Sequence, residues 1–483
     1  MLLNNKLLIG KKEVAFLAIL VVALIIAVFQ PFKDAAPITH YTLALLLFVV
    51  SSWALKPFGL PISISSLTFM GMLVLIGVPY NVAASGFVSS SFWLMLAGLY
   101  FGFVMFKTGV AKRLAYLILK IFPTSYFGII AGMTAVAVVF SLMTPSITVR
   151  LSIMCPIALG LIECAKIPKK SSMSAGILLI FFVANLLIGA GWFTGALTGP
   201  IMYGLAPPLA KPYISSATWS STMFVPMEIM AAVTITIFSL VVFKTKQKLE
   251  CSRALLSDEY EKLGKWTADQ KITLIIIAST VVGWFLPTLG IINIDSGVVG
   301  LVGLFMLFAT RRILVGEIPT GINWDFMIFM GFNLGLTGIF ATTKFSAWIG
   351  SYVGGLFYPL AGNLTVLLLV LGAFMFFMRF WDISYGLATI AILSGTIVPG
   401  LMVEGINPAC IYFVLVLMGS FLFVLPYQQP WLLMADNLTR GEMLTQKHIV
   451  KAGLVYAAIG FAVIIIASLY WQATGQAFIA AHG

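Results

Sequence analysis

The sequence predicts an all-α polytopic membrane protein, with about eleven transmembrane helices and two re-entrant hairpins arranged as an inverted repeat. Three observations predict it. The first is composition: of 483 residues, 61% are hydrophobic and only 9% charged, against roughly 25% charged in soluble domains. That excludes a water-soluble enzyme, a disordered chain and a nucleic-acid binder. The second is a succession of apolar runs near the roughly 20 residues that a helix needs to cross lipid. The third is the placement of basic residues, which fall almost entirely on one side of the topology those runs define.

The runs lie at 14–29, 38–55, 62–79, 90–106, 173–200 with a Gly-rich break, 221–243, 272–289, 297–310, 323–341, 407–434 with a break at Pro426, and 450–471. The first ends in Pro31-Phe32-Lys33-Asp34, which offers no small-residue cleavage site, so it reads as a retained helix. Two further stretches, 126–162 and 356–403, are too long for one crossing and carry polar residues with Pro or Arg in the middle. They read as hairpins that enter and leave by one face, since irregular backbone at membrane depth survives only where protein buries it or it lines a cavity. With the N-terminus inside, Lys33, Lys211 and Lys344 fall outside and Arg150 and Arg379 lie within hairpins, leaving 23 of the 28 basic residues inside. The C-terminus then lies outside. The four cysteines are widely spaced and suggest neither a disulfide framework nor a zinc site.

The one substantial hydrophilic stretch, 244–271, reads as a cytoplasmic connector between two halves, 1–243 and 272–483, with the same order of elements. In each half a Gly-rich span carries G-x-x-x-G, Gly98 with Gly102 and Gly331 with Gly335, which favours close helix approach. The hairpins open to opposite faces, 126–162 inward and 356–403 outward. Carriers built on such repeats bind substrate near the midplane between broken helices.

Chemistry is expected at the hairpin tips and breaks. The first tip, Thr144-Pro145-Ser146-Ile147-Thr148-Val149-Arg150, couples a helix N-terminus to hydroxyls and a guanidinium, a set suited to a carboxylate or other oxyanion. The alternative is a proline kink with Arg150 reaching the surface. The second tip holds Arg379 and Asp382, three apart and able to pair, followed by Ser384-Tyr385-Gly386. Intramembrane charges are costly and point to function, so Asp382 and Glu228, with the polar Asn333 inside the second G-x-x-x-G, are candidates for ion coupling, with interfacial or helix-packing roles as alternatives. The breaks add Thr194 and Thr198 in the first half, and Gln428 and Gln429 between Pro426 and Pro430 in the second.

The whole chain resembles the divalent anion/sodium symporters (INDY-type dicarboxylate transporters and bacterial citrate or dicarboxylate antiporters) of the ion transporter superfamily. The likeness is carried by Phe92-Trp93-Leu94-Met95-Leu96-Ala97-Gly98, by Thr144-Pro145-Ser146 through Arg150, and by Leu425-Pro426 with Pro430. It implies a scaffold domain and a moving transport domain working as an elevator, a homodimer, and a bacterial plasma (inner) membrane. It also implies a Ser-Asn-Thr signature at each tip that holds substrate carboxylates, here Ser146-Ile147-Thr148 and Ser384-Tyr385-Gly386. Sodium is then expected near Ser146, Gly195 and Ser384, with no other cofactor. Ile147 and Tyr385-Gly386 offer no amide oxygen where the family has Asn, which removes ligands a hard cation favours. The function expected is secondary transport of a small organic anion, a di- or tricarboxylate, by exchange or sodium symport. An anion channel, or a proton-coupled carrier of another anion, is the alternative. An intramembrane enzyme finds no support in any nucleophile–base pair.

Overall fold

The computed structural model describes residues 10–123, 125–245, 252–289, 291–292, 294–382 and 386–479. Among these there is no strand, and ten helices are long and apolar enough to cross a membrane. Eight of the ten coincide with expected spans, and the other two are the arms of the first hairpin, Tyr126–Met143 and Ile147–Cys164. Three expected spans are short: Ile62–Leu75, Ser296–Ala309 and Pro408–Ser420. A 14-residue helix rises only about 21 Å, so these depend on adjoining short helices and turns to complete a crossing.

The breaks differ from expectation in detail. The helix that begins at Pro408 unwinds before Pro426: it loosens into a π-turn at Leu415–Ser420 and resumes only at Pro430–Leu438. That turn is closely approached by Gly386, which holds φ at 75° and where a Cβ would lie 2.9 Å from the Gly419 carbonyl oxygen. The 323–341 run, expected as one helix, is interrupted between Trp324–Asn333 and Leu336–Thr342. There Gly335 meets Gly86 backbone, with a Cβ 3.2 Å from its nitrogen. The second hairpin starts later than 356: its arms are Leu364–Met378 and Leu387–Val403. A separate helix, Phe345–Phe357, precedes it and ends at Tyr358-Pro359, where proline cannot continue the ladder.

Helices from before and after the 244–271 segment pack on one another. Ile62–Leu75 packs on Trp324–Asn333, and the corresponding Ser296–Ala309 packs on Ser90–Lys107. The first G-x-x-x-G seats the first hairpin tip, since a Cβ at Gly102 would lie 2.6 Å from Val149 Cγ2 and 3.2 Å from Ser146 Cβ. The second G-x-x-x-G instead receives Phe87 and Ser85, so the motif packs helices in both halves but serves a tip only in the first. The connector is docked, not free: helix Ser252–Glu261 lies on Val110–Ile121, and buried Arg113 donates to the carbonyls of Leu263 at 2.7 Å and Gly264 at 2.8 Å. Cys155 and Cys410 are buried free thiols. Cys164 is disulfide-bonded, which the cysteine spacing did not suggest.

Candidate functional site

Three helices begin at one cavity. Ile147–Cys164 is capped by Ser146, whose Oγ accepts from Val149 N at 3.4 Å. Trp324–Asn333 is capped by Asn323, whose Oδ1 accepts from Phe326 N at 3.1 Å. Pro430–Leu438 starts with proline at its first position, where no N–H is missed. The first turns of all three, with Phe103, Phe106 and Leu197, line a vestibule of about 590 Å³. That lies within the roughly 300–1,000 Å³ of small-molecule sites. Ser146, Thr148, Ser152, Thr320 and Asn323 supply its polar groups, and no lining side chain is charged. The positive ends of Ile147–Cys164 and Pro430–Leu438 therefore meet the space without a competing cation, while Asp325 in the first turn of Trp324–Asn333, which accepts from Ser63 N at 2.9 Å, offsets the third. Each unopposed end is worth about 0.3–2 kcal/mol to an anion near its first turn.

Ile147, Leu197, Phe326 and Trp431 also line a smaller chamber of about 30 Å³, which reaches Thr198, Ser420 and Leu387. Leu387 opens the second arm of the second hairpin, so the two hairpins meet here. Thr198 Oγ1 and Ser420 Oγ are buried and have no hydrogen-bond partner in the protein. Buried hydroxyls are normally paired, and these two are placed to accept a ligand or water.

The arginines stand elsewhere. Arg150 is fully buried. Its Nε donates to Thr144 O at 3.1 Å, one terminal nitrogen to Asn185 O at 3.4 Å, and the other to Thr144 O and Gly195 O. It was expected to face an anion; the structure places it on carbonyls that the hairpin turn and the helix break set free. Arg379, also fully buried, donates to Asp382 O at 2.5 Å and to Gln428 O. The expected pairing of Arg379 with Asp382 along one helix face takes another form. Asp382 Oδ2 accepts from Thr389 N at 2.9 Å and Thr389 Oγ1 at 2.7 Å, capping the second arm of its hairpin.

The remaining candidates separate in the same way. Ser146, Ile147 and Thr148 line the vestibule, and Thr198 the inner chamber. Thr194 faces away, into a pocket with Trp192 and Ser216. Gln428 braces its own break: Oε1 accepts from Val424 N at 2.6 Å and Leu425 N at 2.9 Å, and Nε2 donates to Arg379 O at 3.0 Å. Gln429 Nε2 donates to Ser420 O at 2.5 Å. Asn333 bonds back to Phe329 O at 2.8 Å. Glu228 sits beside the first break at Gly191. Gly386 provides the left-handed turn described above, while Ser384 and Tyr385 lie outside the described residues. Sequence reasoning missed Asn323, Thr320 and Ser420. Only Asn323 carried a signal, an Asn just before an apolar helix.

A multi-pass α-helical membrane protein with paired hairpins, paired broken helices and a polar vestibule between them has the architecture of a secondary transporter. The model of the sodium:sulfate symporter transmembrane region matches residues 11–476, and the chain belongs to that family. It is an integral membrane transporter of an anionic substrate, not an enzyme. A membrane protein of Cupriavidus necator is 24% identical over 488 residues, covering 95% of this chain and 92% of that protein. The chloroplastic dicarboxylate transporter 1 of Spinacia oleracea is 23% identical over 309 residues, covering 62% of this chain and 54% of the relative; the chain thus matches about half of that protein's length. The crystal structure of the Alcanivorax borkumensis YdaH transporter, 13% identical, superposes with a TM-score of 0.54 over 97% of this chain and 99% of that one, a likeness of fold.

Proposed function

We propose that the protein exchanges small organic anions, di- or tricarboxylates, across a bacterial plasma membrane, with the anion held where the three helix N-termini converge. That convergence on a cavity without charged side chains is the observation that carries the reading: backbone N–H groups and the hydroxyls of Ser146, Thr148, Thr198 and Ser420 can meet carboxylate oxygens without a neutralising side chain. The dicarboxylate named for the spinach relative supports the substrate class.

Exchange is favoured over sodium symport by the arginines. The Thr144 and Gly195 carbonyls, beside the places where sodium is expected, already receive the Arg150 guanidinium. A built-in cation there competes with a mobile one. The domain scheme of 1–243 and 272–483 as inverted halves joined by 244–271 is supported by their reciprocal helix packing. An N-terminus inside, a C-terminus outside, a homodimer and an elevator motion complete the proposal. The test is radiolabelled malate, citrate or sulfate uptake into proteoliposomes. With no pH gradient imposed, concentrative uptake is expected to require internal anion and to be unchanged when choline replaces sodium. Robust sodium-driven accumulation into anion-free vesicles would overturn exchange, and sulfate transport without malate or citrate transport would overturn the substrate class.

A further inference from the structure

Glu228 is the one acidic side chain within the helix Trp219–Ile237, and that helix continues as part of a 24-residue membrane-capable span. Its Oε1 is buried with no hydrogen-bond partner in the protein. It abuts the first helix break, where a Cβ on Gly191 would lie 3.2 Å from that oxygen. Two residues earlier in the break, a Cβ on Gly189 would lie 3.0 Å from an Arg150 terminal nitrogen. The carboxyl and the guanidinium that holds the hairpin tip therefore press on one short segment of backbone.

A route to Glu228 is present. Ser220, Phe224 and Glu228 recur at four-residue spacing and share one helix face. Ser220 lines a small pocket with Thr194, Trp192 and Ser216. Ser216 and Phe193 also line a hydroxyl-rich cavity of about 190 Å³, which holds Ser90, Ser215 and Asp295 and whose Ser91 and Ser296 hydroxyls are buried and unpartnered. Between Ser220 and Glu228 stands Phe224, packed on Trp192 with ring centroids 4.6 Å apart. Polar groups thus lead from one face of the protein to an aromatic pair; Glu228 stands one helical turn beyond it, its side chain half-buried and only its Oε1 fully enclosed.

Among the described residues, the surroundings offer no fixed counter-charge beyond Arg150. Helix Ser172–Ala190 has no titratable side chain. Pro408–Ser420 brings only Cys410 and Tyr412. On Gln446–Ala473, Lys447, His448 and Lys451 lie at the far end, where Lys451 Nζ donates to Val242 O at 3.0 Å, about 21 Å along the helix from Glu228. That helix also carries Tyr456 and Tyr470. Asp295 and Lys211 stand at the outer end of the polar route, Lys211 Nζ over the Tyr203 ring. Arg150 itself is engaged by three carbonyls. An ionised carboxylate without a partner at membrane depth is expensive and takes up a proton instead.

We propose, resting on the anion-carrier reading above, that Glu228 is a proton-binding site that couples transport: its carboxylate takes one proton along the Ser216–Ser220 route, crosses with the anion as a neutral carboxylic acid, and releases that proton on the other side. Opening the Phe224–Trp192 pair to water is what ionises it, and the Gly189–Gly195 backbone relays that change to the Arg150 clamp and the hairpin tip.

Malate uptake into proteoliposomes without internal anion, under an imposed pH gradient, tests it. One coupled proton raises the accumulation ratio about tenfold per unit of pH difference. Wild type and Glu228→Asp are expected to show that dependence, and Glu228→Gln to lose it. A Glu228→Gln protein that still follows the pH gradient overturns the proposal. Infrared difference spectroscopy of the purified protein adds a readout that needs no substrate: a protonated-carboxyl band at neutral pH that vanishes in Glu228→Gln is expected, and its absence from wild type overturns the proposal even if Glu228→Gln fails to fold. Failure of the carrier reading looks different, as no malate, citrate or sulfate movement at any gradient with the band intact.

Discussion

Arg150 and Arg379 hold matching positions in the two halves. Each is fully buried at its own hairpin turn, and each donates to a carbonyl of the broken helix beside that hairpin, Arg150 to Gly195 O and Arg379 to Gln428 O. Breaking a helix frees carbonyls that lipid cannot satisfy. A guanidinium, with five donors in a fixed fork, closes several at once. The arginines therefore staple each hairpin to the broken helix beside it.

This separates two mutations at one tip. Arg150→Lys gives up most of a set of charge-assisted bonds worth about 1.5–3 kcal/mol each. It is expected to lower the melting temperature in detergent and to abolish transport with it. Thr148→Val, on the exposed vestibule wall, is expected to leave melting unchanged and weaken anion affinity roughly 3–10-fold, the worth of about one hydrogen bond. Thermal unfolding with and without malate checks both.

Gly386→Ala is expected to be destabilising through the backbone alone. An L-residue at φ 75° costs about 1–2 kcal/mol, and the new Cβ meets Gly419 backbone. Gly355→Ala, where a Cβ would meet open space, is the control. Equal melting temperatures for the two variants would refute the close approach of Gly386 to the second break.

Sidedness is checked by thiol labelling. Lys262→Cys, at a side chain 70% exposed in the connector, is expected to resist an impermeant reagent in intact cells. Ala217→Cys, exposed at the opposite face, is expected to react. The reverse pattern would invert the topology.

Acid acts on the tie between Ser90–Lys107 and the following half. Lys107 Nζ bonds Glu317 at 2.6 Å, which with the Leu314 N–H holds the Glu317 carboxyl below its ordinary value of 4.5. A carboxylate so depressed stabilises the fold above that ordinary value and loses the effect as pH falls through the depressed one. The melting-temperature gap between wild type and Glu317→Gln is therefore expected to be full at neutral pH and to close under acid. A gap that widens under acid would contradict the assignment.

Much of the framework was legible in sequence, because span length, polar interruptions and glycine spacing are local properties. The first tip at Thr144–Arg150 and the breaks near Gly191 and Pro426 declared themselves through Pro, Gly and misplaced polarity. The use of each polar group was not legible. An intramembrane Arg reads the same whether it faces a ligand or a freed carbonyl, and Gln428 reads the same whether it lines a cavity or braces its own turn. The vestibule was hidden for another reason: its three helix starts, at Ile147, Trp324 and Pro430, are brought together only by tertiary packing, and a helix end leaves no mark of its polarity in composition. The break at Gly335 was missed because G-x-x-x-G suits a straight packed helix equally well.

With helix ends in place of ionised side chains, the vestibule pulls on an anion only within about a turn of helix. Longer-range attraction is weak: Lys112 lines a neighbouring cavity that shares Phe106 and Ser152 with the vestibule, but Glu259 of that cavity stands 3.9 Å from its Nζ. An anion is then gathered by diffusion and held by short-range contacts alone, so added salt is expected to leave both its arrival and its residence almost untouched.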